Sequence, residues 1–256
     1  MSKTAIITGS TSGIGLGLAH AFAAAGYNLV LNGLEANGPE IAAEVAAAHD
    51  IEAFFSPANM LDPAQIRQMA AEAEQRFGQV DVLINNAGIQ HVAPIDEFPE
   101  QQWDRIIGVN LSSAFHTSKA VWQGMKKRGF GRIINIASVH GLRASEYKAG
   151  YIAAKHGIIG LTKVLALEGA PLGITCNAIC PGYVRTPLVE GQIKDQAKAH
   201  GMSEAEVVEK VMLKKQAVKA FVDVELLAEL AIFLASKEAK TLTGAALPVD
   251  GGWSAQ

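Results

Sequence analysis

Tyr151 and Lys155 stand four residues apart in Tyr151-Ile152-Ala153-Ala154-Lys155, inside a long helix-prone run, so their side chains share one helical face. A free tyrosine, with a pKa of about 10, is a poor base at neutral pH. A cation beside it favours the phenolate and lowers that value. The pair therefore has the parts needed to take a proton from a reacting oxygen and to return it. Ser138, thirteen residues upstream at the end of a strand-like run, is placed to hydrogen-bond the same oxygen. A Tyr-xxx-Lys pair alone is usually structural. Its meaning depends on what else the chain brings to it.

The chain opens on Thr8-Gly9-Ser10-Thr11-Ser12-Gly13-Ile14-Gly15, between a first strand and a first helix. Glycines let backbone approach a pyrophosphate, and a helix N-terminus offers free N–H groups and a positive dipole end to the anion. A glycine triplet is also compatible with an ordinary tight turn. In this strand–turn–helix setting the expectation is a dinucleotide held by Gly9, Thr11, Ser12, Gly13, Ile14 and Gly15.

The Gly-xxx-Gly-x-Gly spacing, together with Asn85-Asn86-Ala87-Gly88 and Pro181-Gly182, resembles the short-chain dehydrogenase/reductase family over essentially the whole chain. The resemblance implies that Asn86, Ala87 and Gly88 line the adenosine side, with Pro181 and Gly182 after the sixth strand. It also implies that Val184 backbone and Thr186 hold a nicotinamide carboxamide. Ser138, Tyr151 and Lys155 match the family's catalytic set, and Asn110 in Gly108-Val109-Asn110 matches its fourth member, which would hold a water linking Lys155 to solvent. Tyr151 would be the base in alcohol oxidation and the acid in ketone reduction. Lys155 would lower its pKa and hold the nicotinamide ribose, and Ser138 would orient the substrate. At the adenine pocket, Asn59 replaces the family's usual Asp and is followed by Met60.

Charge decides between the two nicotinamide cofactors, because a 2′-phosphate needs Arg or Lys in the glycine loop or at the end of the second strand. The loop interior is Ser10, Thr11 and Ser12, and the second strand ends Asn32-Gly33-Leu34-Glu35. Nothing there is positive, so the expectation is NAD, with Leu34 at the adenosine pocket. The Asp that commonly closes this strand in NAD-dependent members is missing.

A second cluster is tied in sequence to the first. Gln90 follows Gly88 by two residues, His140 follows Ser138 by two, and Lys148 precedes Tyr151 by three. With Gln192 they offer amides, an imidazole and a cation, a cradle suited to a small carboxylate. The set resembles the bacterial D-3-hydroxybutyrate dehydrogenases, which implies a small hydroxy or keto acid as substrate, with Trp253 closing the pocket over its carbon chain. Taken singly, Lys148 and Gln192 read equally well as surface residues, and His140 as a loop residue bonded to backbone.

These residues need a scaffold that gathers distant loops. Strand-like runs at Thr4 to Thr8, Asn28 to Asn32, Glu52 to Ser56, Val80 to Asn85, Gly131 to Ser138, Ile174 to Cys180 and Ala246 to Val249 alternate with helical runs. The long helices are expected at Asn110 to Arg128 and Tyr151 to Ala170. That rhythm predicts a single α/β domain over 1–256, a Rossmann-type doubly wound parallel sheet with helices on both faces. The stretch 187–220 is polar, helix-prone and without strand runs. It reads as a helical substrate lid or as a solvated helical pair.

With 49% hydrophobic and 18% charged residues, the chain can bury a sheet on both faces. A net charge of -3 and no basic block disfavour a nucleic-acid partner. No signal peptide and no apolar run of membrane-spanning length is visible, so no membrane association is expected and the compartment read is the cytoplasm. Cys176 and Cys180 lie four residues apart in a strand, roughly 13 Å at about 3.3 Å per residue, too far for a disulfide. No metal ligation is expected. The family resemblance further implies a homotetramer paired through the helices around Ser112 to Lys127 and Tyr151 to Gly169. Rival readings are a 3-oxoacyl-carrier-protein reductase, and a non-catalytic NAD-binding sensor or scaffold, which would not need the full catalytic set.

Overall fold

Alternation of side chains along each strand explains the layers. In β1 (Thr4–Ile7), Ala5 and Ile7 enter one apolar cluster and Ile6 the opposite one. The same switch occurs in β2 (Asn28–Asn32) at Leu29, Val30 and Leu31, and in β4 (Val82–Asn85) at Val82, Leu83 and Ile84. Strands buried on both faces need helices on both faces. One face carries α1 (Gly13–Ala24), α2 (Gly38–His49) and α9 (Val224–Ala235), which contribute Leu18, Phe22, Val45, Leu227 and Leu234. The other carries α3 (Pro63–Phe77), α5 (Ser113–Arg128) and α6 (Ala149–Gly169), with Ile66, Met69, Val121, Met125 and Leu165. Each fully buried large side chain contributes roughly 1.5–3 kcal/mol relative to exposure.

The computed structural model describes residues 2–255, apart from the side chains at positions 187, 188, 195, 196, 199 and 200. With β3 (Ala53–Ser56), β5 (Gly131–Ile136), β6 (Ile174–Pro181) and β7 (Ala246–Val249), the strands form one parallel sheet in the order β3-β2-β1-β4-β5-β6-β7. The chain winds outward in both directions from β1 and β4, so a crevice opens where their C-terminal ends diverge. Register brings Ile7, Leu31 and Ile84 level, and likewise Ile136 with Ile179, and Pro181 with Val249. The loops that follow these residues therefore emerge along one edge.

Helix ends follow local chemistry. Asp62 caps α3 by accepting from the Ala64 and Gln65 N–H groups, Pro63 occupies its first turn, and Gly78 ends it in the left-handed region at φ 79. All seven strand runs form.

The helix expected at Asn110 to Arg128 is divided differently: α4 (Glu100–Ile107) precedes it, joined through a π-helical turn over Gly108–Ser112. α4 is only eight residues long, so its apolar stripe of Trp103, Ile106 and Ile107 spans about one turn and is too brief to announce a helix. The other long helix starts at Ala149, two residues before its expected start, which puts Tyr151 in its first turn. The 187–220 stretch is helical, with α7 (Pro187–His200), α8 (Glu204–Val207), and π and 3-10 turns to Lys215. It holds an apolar cluster of its own, Val189, Ile193, Val207 and Met212, with Tyr183 and Phe221 against it. Its far end is pinned by buried Gln216, which accepts from the Tyr183 N–H and donates to the Ala220 carbonyl. Cys176 and Cys180 are buried and unbonded to each other, as strand spacing requires.

Candidate active site

The loops after β1 and β4 are tied into one piece. Thr8 Oγ1 accepts from the N–H groups of Asn86 and Ala87 at 3.0 Å, and Asn86 Nδ2 donates to the carbonyls of Thr8 and Gly9. Asn32 extends the tie by accepting from the Gly9 N–H and donating to the Ser56 and Ala58 carbonyls. Gly9, at φ 60, lies so close to the second loop that a Cβ there would sit 2.9 Å from Ala87 Cα. A Cβ on Gly15 would meet the Gly9 carbonyl at 2.1 Å, so only glycine lets α1 begin this near the strand. Ser12, the residue before α1, makes no side-chain cap, and the first turn of α1 has no acidic residue. Its N–H groups are thus left to an external acceptor.

This loop opens onto a cavity bordered by Gly9, Thr11 to Gly15, Leu34, Asn59, Met60, Asn86, Ala87 and Gly88, all of them expected from sequence. Thr186, Ile14, Asn86 and Gly88 border it and also a second cavity, at the ends of β5 and β6. The second is lined by Ser138, Tyr151, Lys155, Pro181, Gly182 and Val184, and by Gln90, His140, Lys148, Gln192 and Trp253. The two expected groups thus face one continuous region. Asn110 lies behind the wall. Its side chain accepts from the Ile89 N–H and donates to the Ile89 carbonyl, both at 2.9 Å, from the π-helical turn. Asn85, first residue of the Asn-Asn-Ala-Gly motif, does not face the cavity lining. It accepts from Thr117 and donates to Asn135, joining β4, β5 and α5.

Tyr151 and Lys155 share one face of α6, with Lys155 Nζ 5.6 Å from the Tyr151 ring centre. Lys155 donates to the Ile136 carbonyl at 2.7 Å. Burial pushes the Tyr151 hydroxyl up, opposed by a hydrogen bond with Ser138. Burial also pushes the Lys155 ammonium down to about 8, countered in part by Cys180. Desolvation penalises the phenolate and the ammonium alike.

In the second group, His140 Nε2 is 3.0 Å from Ser145 Oγ, and its ring meets Trp253 edge-on at 5.2 Å. Burial, then the charges of Lys148 and Lys215, push the imidazole down to about 3. His140 is therefore a neutral hydrogen-bonding group and not a second cation. Burial lowers the Lys148 pKa too, with Lys215 adding to it. The amide nitrogen of Gln90 is buried at this cavity and has no hydrogen-bond partner among the described residues, so it is poised for a ligand acceptor.

Sequence reasoning missed four residues here. Tyr183 lines the second cavity and stacks on Trp253 at 5.9 Å; its place between Gly182 and Val184 was the available signal. Val189 lines it from α7. Arg105 borders the first cavity from the unanticipated α4, and Lys215 lies over Trp253. Neither cation has a local sequence signal. Among the described residues, no cluster of three or more His, Cys, Asp or Glu could hold a metal, and no helix is long and apolar enough to cross a membrane.

Comparison with known proteins bears on this geometry. A family model described as short chain dehydrogenase matches residues 3–197. The D-beta-hydroxybutyrate dehydrogenase of Rhizobium meliloti (strain 1021) is 54% identical over 258 residues, covering 100% of both chains. The enzyme of the same name from Cupriavidus necator is 49% identical over 255 residues, covering 99% of this chain and 98% of its own. Among solved structures, a variant of the actinorhodin polyketide ketoreductase with NADPH superposes with a TM-score of 0.94 at 32% identity, over 100% of this chain and 98% of that one.

Proposed function

The chain belongs to the short-chain dehydrogenase family, and on that premise we propose that it interconverts D-3-hydroxybutyrate and acetoacetate with NAD. One observation carries the substrate reading: Gln90, His140, Lys148 and Gln192 border the same cavity as Ser138, Tyr151 and Lys155. Amide, imidazole and ammonium groups around one end of a small cavity suit a carboxylate. His140 stays neutral at working pH, so among these four residues the charge offered to the carboxylate is that of Lys148. Tyr183 and Trp253 give the short carbon chain an apolar wall, and α7 covers the site as a lid.

The residues present fit a dinucleotide: uncapped N–H groups at the start of α1, no acidic residue in that turn, and backbone brought close by Gly9 and Gly15. When bound, the oxidised nicotinamide supplies a hydride acceptor and a positive charge beside the substrate. Leu34, Asn59, Met60 and Asn86 to Gly88 form the adenosine side, and Pro181, Gly182, Val184 and Thr186 the nicotinamide side. NAD is preferred because Glu35 occupies the place where a 2′-phosphate would need a cation. Its carboxylate accepts from Thr11 Oγ1 at 2.6 Å and from the Leu34 N–H, which hold its pKa below the usual value and keep it charged.

In alcohol oxidation, Tyr151 takes the hydroxyl proton as hydride leaves the carbinol carbon; in reduction it returns that proton to the ketone oxygen. Ser138 holds the same oxygen in line. Lys155 stabilises the phenolate and holds the nicotinamide ribose. The Asn110 side chain is committed to Ile89, so a water on the path from Lys155 would rest on the carbonyl of the π-helical turn. Outward-facing Phe115, Val164 and Leu167, exposed by 45%, 51% and 79%, suit the homotetramer proposed through α5 and α6. Two free thiols suit the reducing cytoplasm.

The test follows reduced-nicotinamide absorbance with D- and L-3-hydroxybutyrate and with NAD and NADP. The expected result is turnover of the D isomer with NAD, at least about tenfold more efficient than with NADP, and a Glu35→Gln variant in which that preference narrows. Turnover of 3-oxoacyl thioesters alone would move the chain to the carrier-protein reductase class.

A further inference from the structure

Lys215 ends the helical stretch over the site, in the 3-10 turn Leu213–Lys215. Its ammonium lies 5.4 Å from the centre of the Trp253 ring and 3.5 Å from Ser145 Oγ. Ser145 Oγ is in turn 3.0 Å from His140 Nε2. On the other ring of the stacked pair, Lys148 Nζ lies 5.7 Å from the Tyr183 centre. Two ammonium groups from different parts of the chain thus ride on adjoining rings, Lys148 from the loop before α6 and Lys215 from the end of the lid.

We propose that Lys215 is a specificity-determining residue: its charge, held over the Trp253 ring that lines the cavity, selects substrates that end in a carboxylate. This rests on the carboxylate reading of the site. Lys148 alone could neutralise a carboxylate, but the arrangement does more. Two like charges near one another are relieved when an anion enters between them, so binding is strengthened from both sides. Burial lowers the proton affinity of His140 and Lys148, and the Lys215 charge adds to it. Lys215 directly precedes buried Gln216, and the Ala217 and Val218 N–H groups donate to the Gly251 carbonyl, so this charge is fixed beside Trp253.

The experiment compares acetoacetate with methyl acetoacetate, its neutral ester, in the reduction direction with saturating reduced nicotinamide. Wild type, Lys215→Met, Lys215→Gln and Lys215→Arg are measured. A full charge acting across several ångströms at the rim is expected to be worth about tenfold in KM. The proposal expects both neutral variants to raise KM for acetoacetate by about that factor, with kcat moving far less and KM for the ester within about twofold of wild type. The Arg variant should restore most of the loss. Equal losses on acid and ester, or a full preference for the acid in both neutral variants, would overturn the role of Lys215 and leave the carboxylate reading intact. A wild type indifferent to acid against ester would remove that reading and this proposal together.

Discussion

Tyr151→Phe is expected to lower kcat for D-3-hydroxybutyrate oxidation by about a thousandfold, within the range general acid–base catalysis supplies. The substitution removes one oxygen and keeps the ring that packs edge-on against His140 at 6.0 Å. Fold and cofactor binding should therefore persist, measured as an unchanged melting temperature and fluorescence titration with reduced nicotinamide. No second group among the described residues stands ready to take the proton. Of the titratable groups beside it, His140, pushed down to about 3, is too weak a base to replace a phenolate, and Lys155 is turned to the Ile136 carbonyl. A variant retaining a tenth of wild-type turnover would show that the proton leaves by another route.

Lys155→Met is the second large effect, and its signature is a shift in pH. Burial raises the Tyr151 pKa, so oxidation needs a nearby positive charge to populate the phenolate. The Lys155 ammonium, 5.6 Å from the ring centre on the same face of α6, is that charge. The sign follows directly. Removing the cation raises the tyrosine pKa further, so the rising limb of kcat/KM for oxidation moves to higher pH. At neutral pH kcat should fall about a hundredfold. In wild type the support weakens as Lys155 itself loses its proton near 8. A Met variant with an unshifted limb would mean that Lys155 does not act on the tyrosine.

The scaffold was legible because it is written in local patterns. Apolar runs four to eight residues long, each followed by an amphipathic or apolar helix, give the parallel sheet, and the glycine loop marks the crevice end. The site residues were legible where a sequence tie bound them to something already located, as with Gln90, His140 and Lys148. Where no tie exists, sequence was silent. α4 is so short that its single apolar stripe, Trp103, Ile106 and Ile107, could not mark a helix, and Arg105 was missed with it. Lys215 reaches Trp253 only through the folding of the lid, 38 positions away in the chain. The π-helical turn that presents Asn110 depends on how α4 and α5 join, which no spacing rule encodes. The charge state of the site was also beyond sequence. Proximity of Lys155 suggested an acidic tyrosine, yet burial pushes the hydroxyl up and the ammonium down.

If hydride leaves carbon 3 of the hydroxy acid for the nicotinamide while Tyr151 takes the proton, an isotope placed on carbon 3 must follow the hydride. The most direct test uses D-3-hydroxybutyrate deuterated at carbon 3, with NAD and wild-type protein, and analyses the reduced cofactor by mass spectrometry. The account predicts one deuterium transferred per turnover, and none when deuterium is carried only on the hydroxyl. Reduced cofactor without deuterium from carbon 3, or no reduction at all, would contradict it.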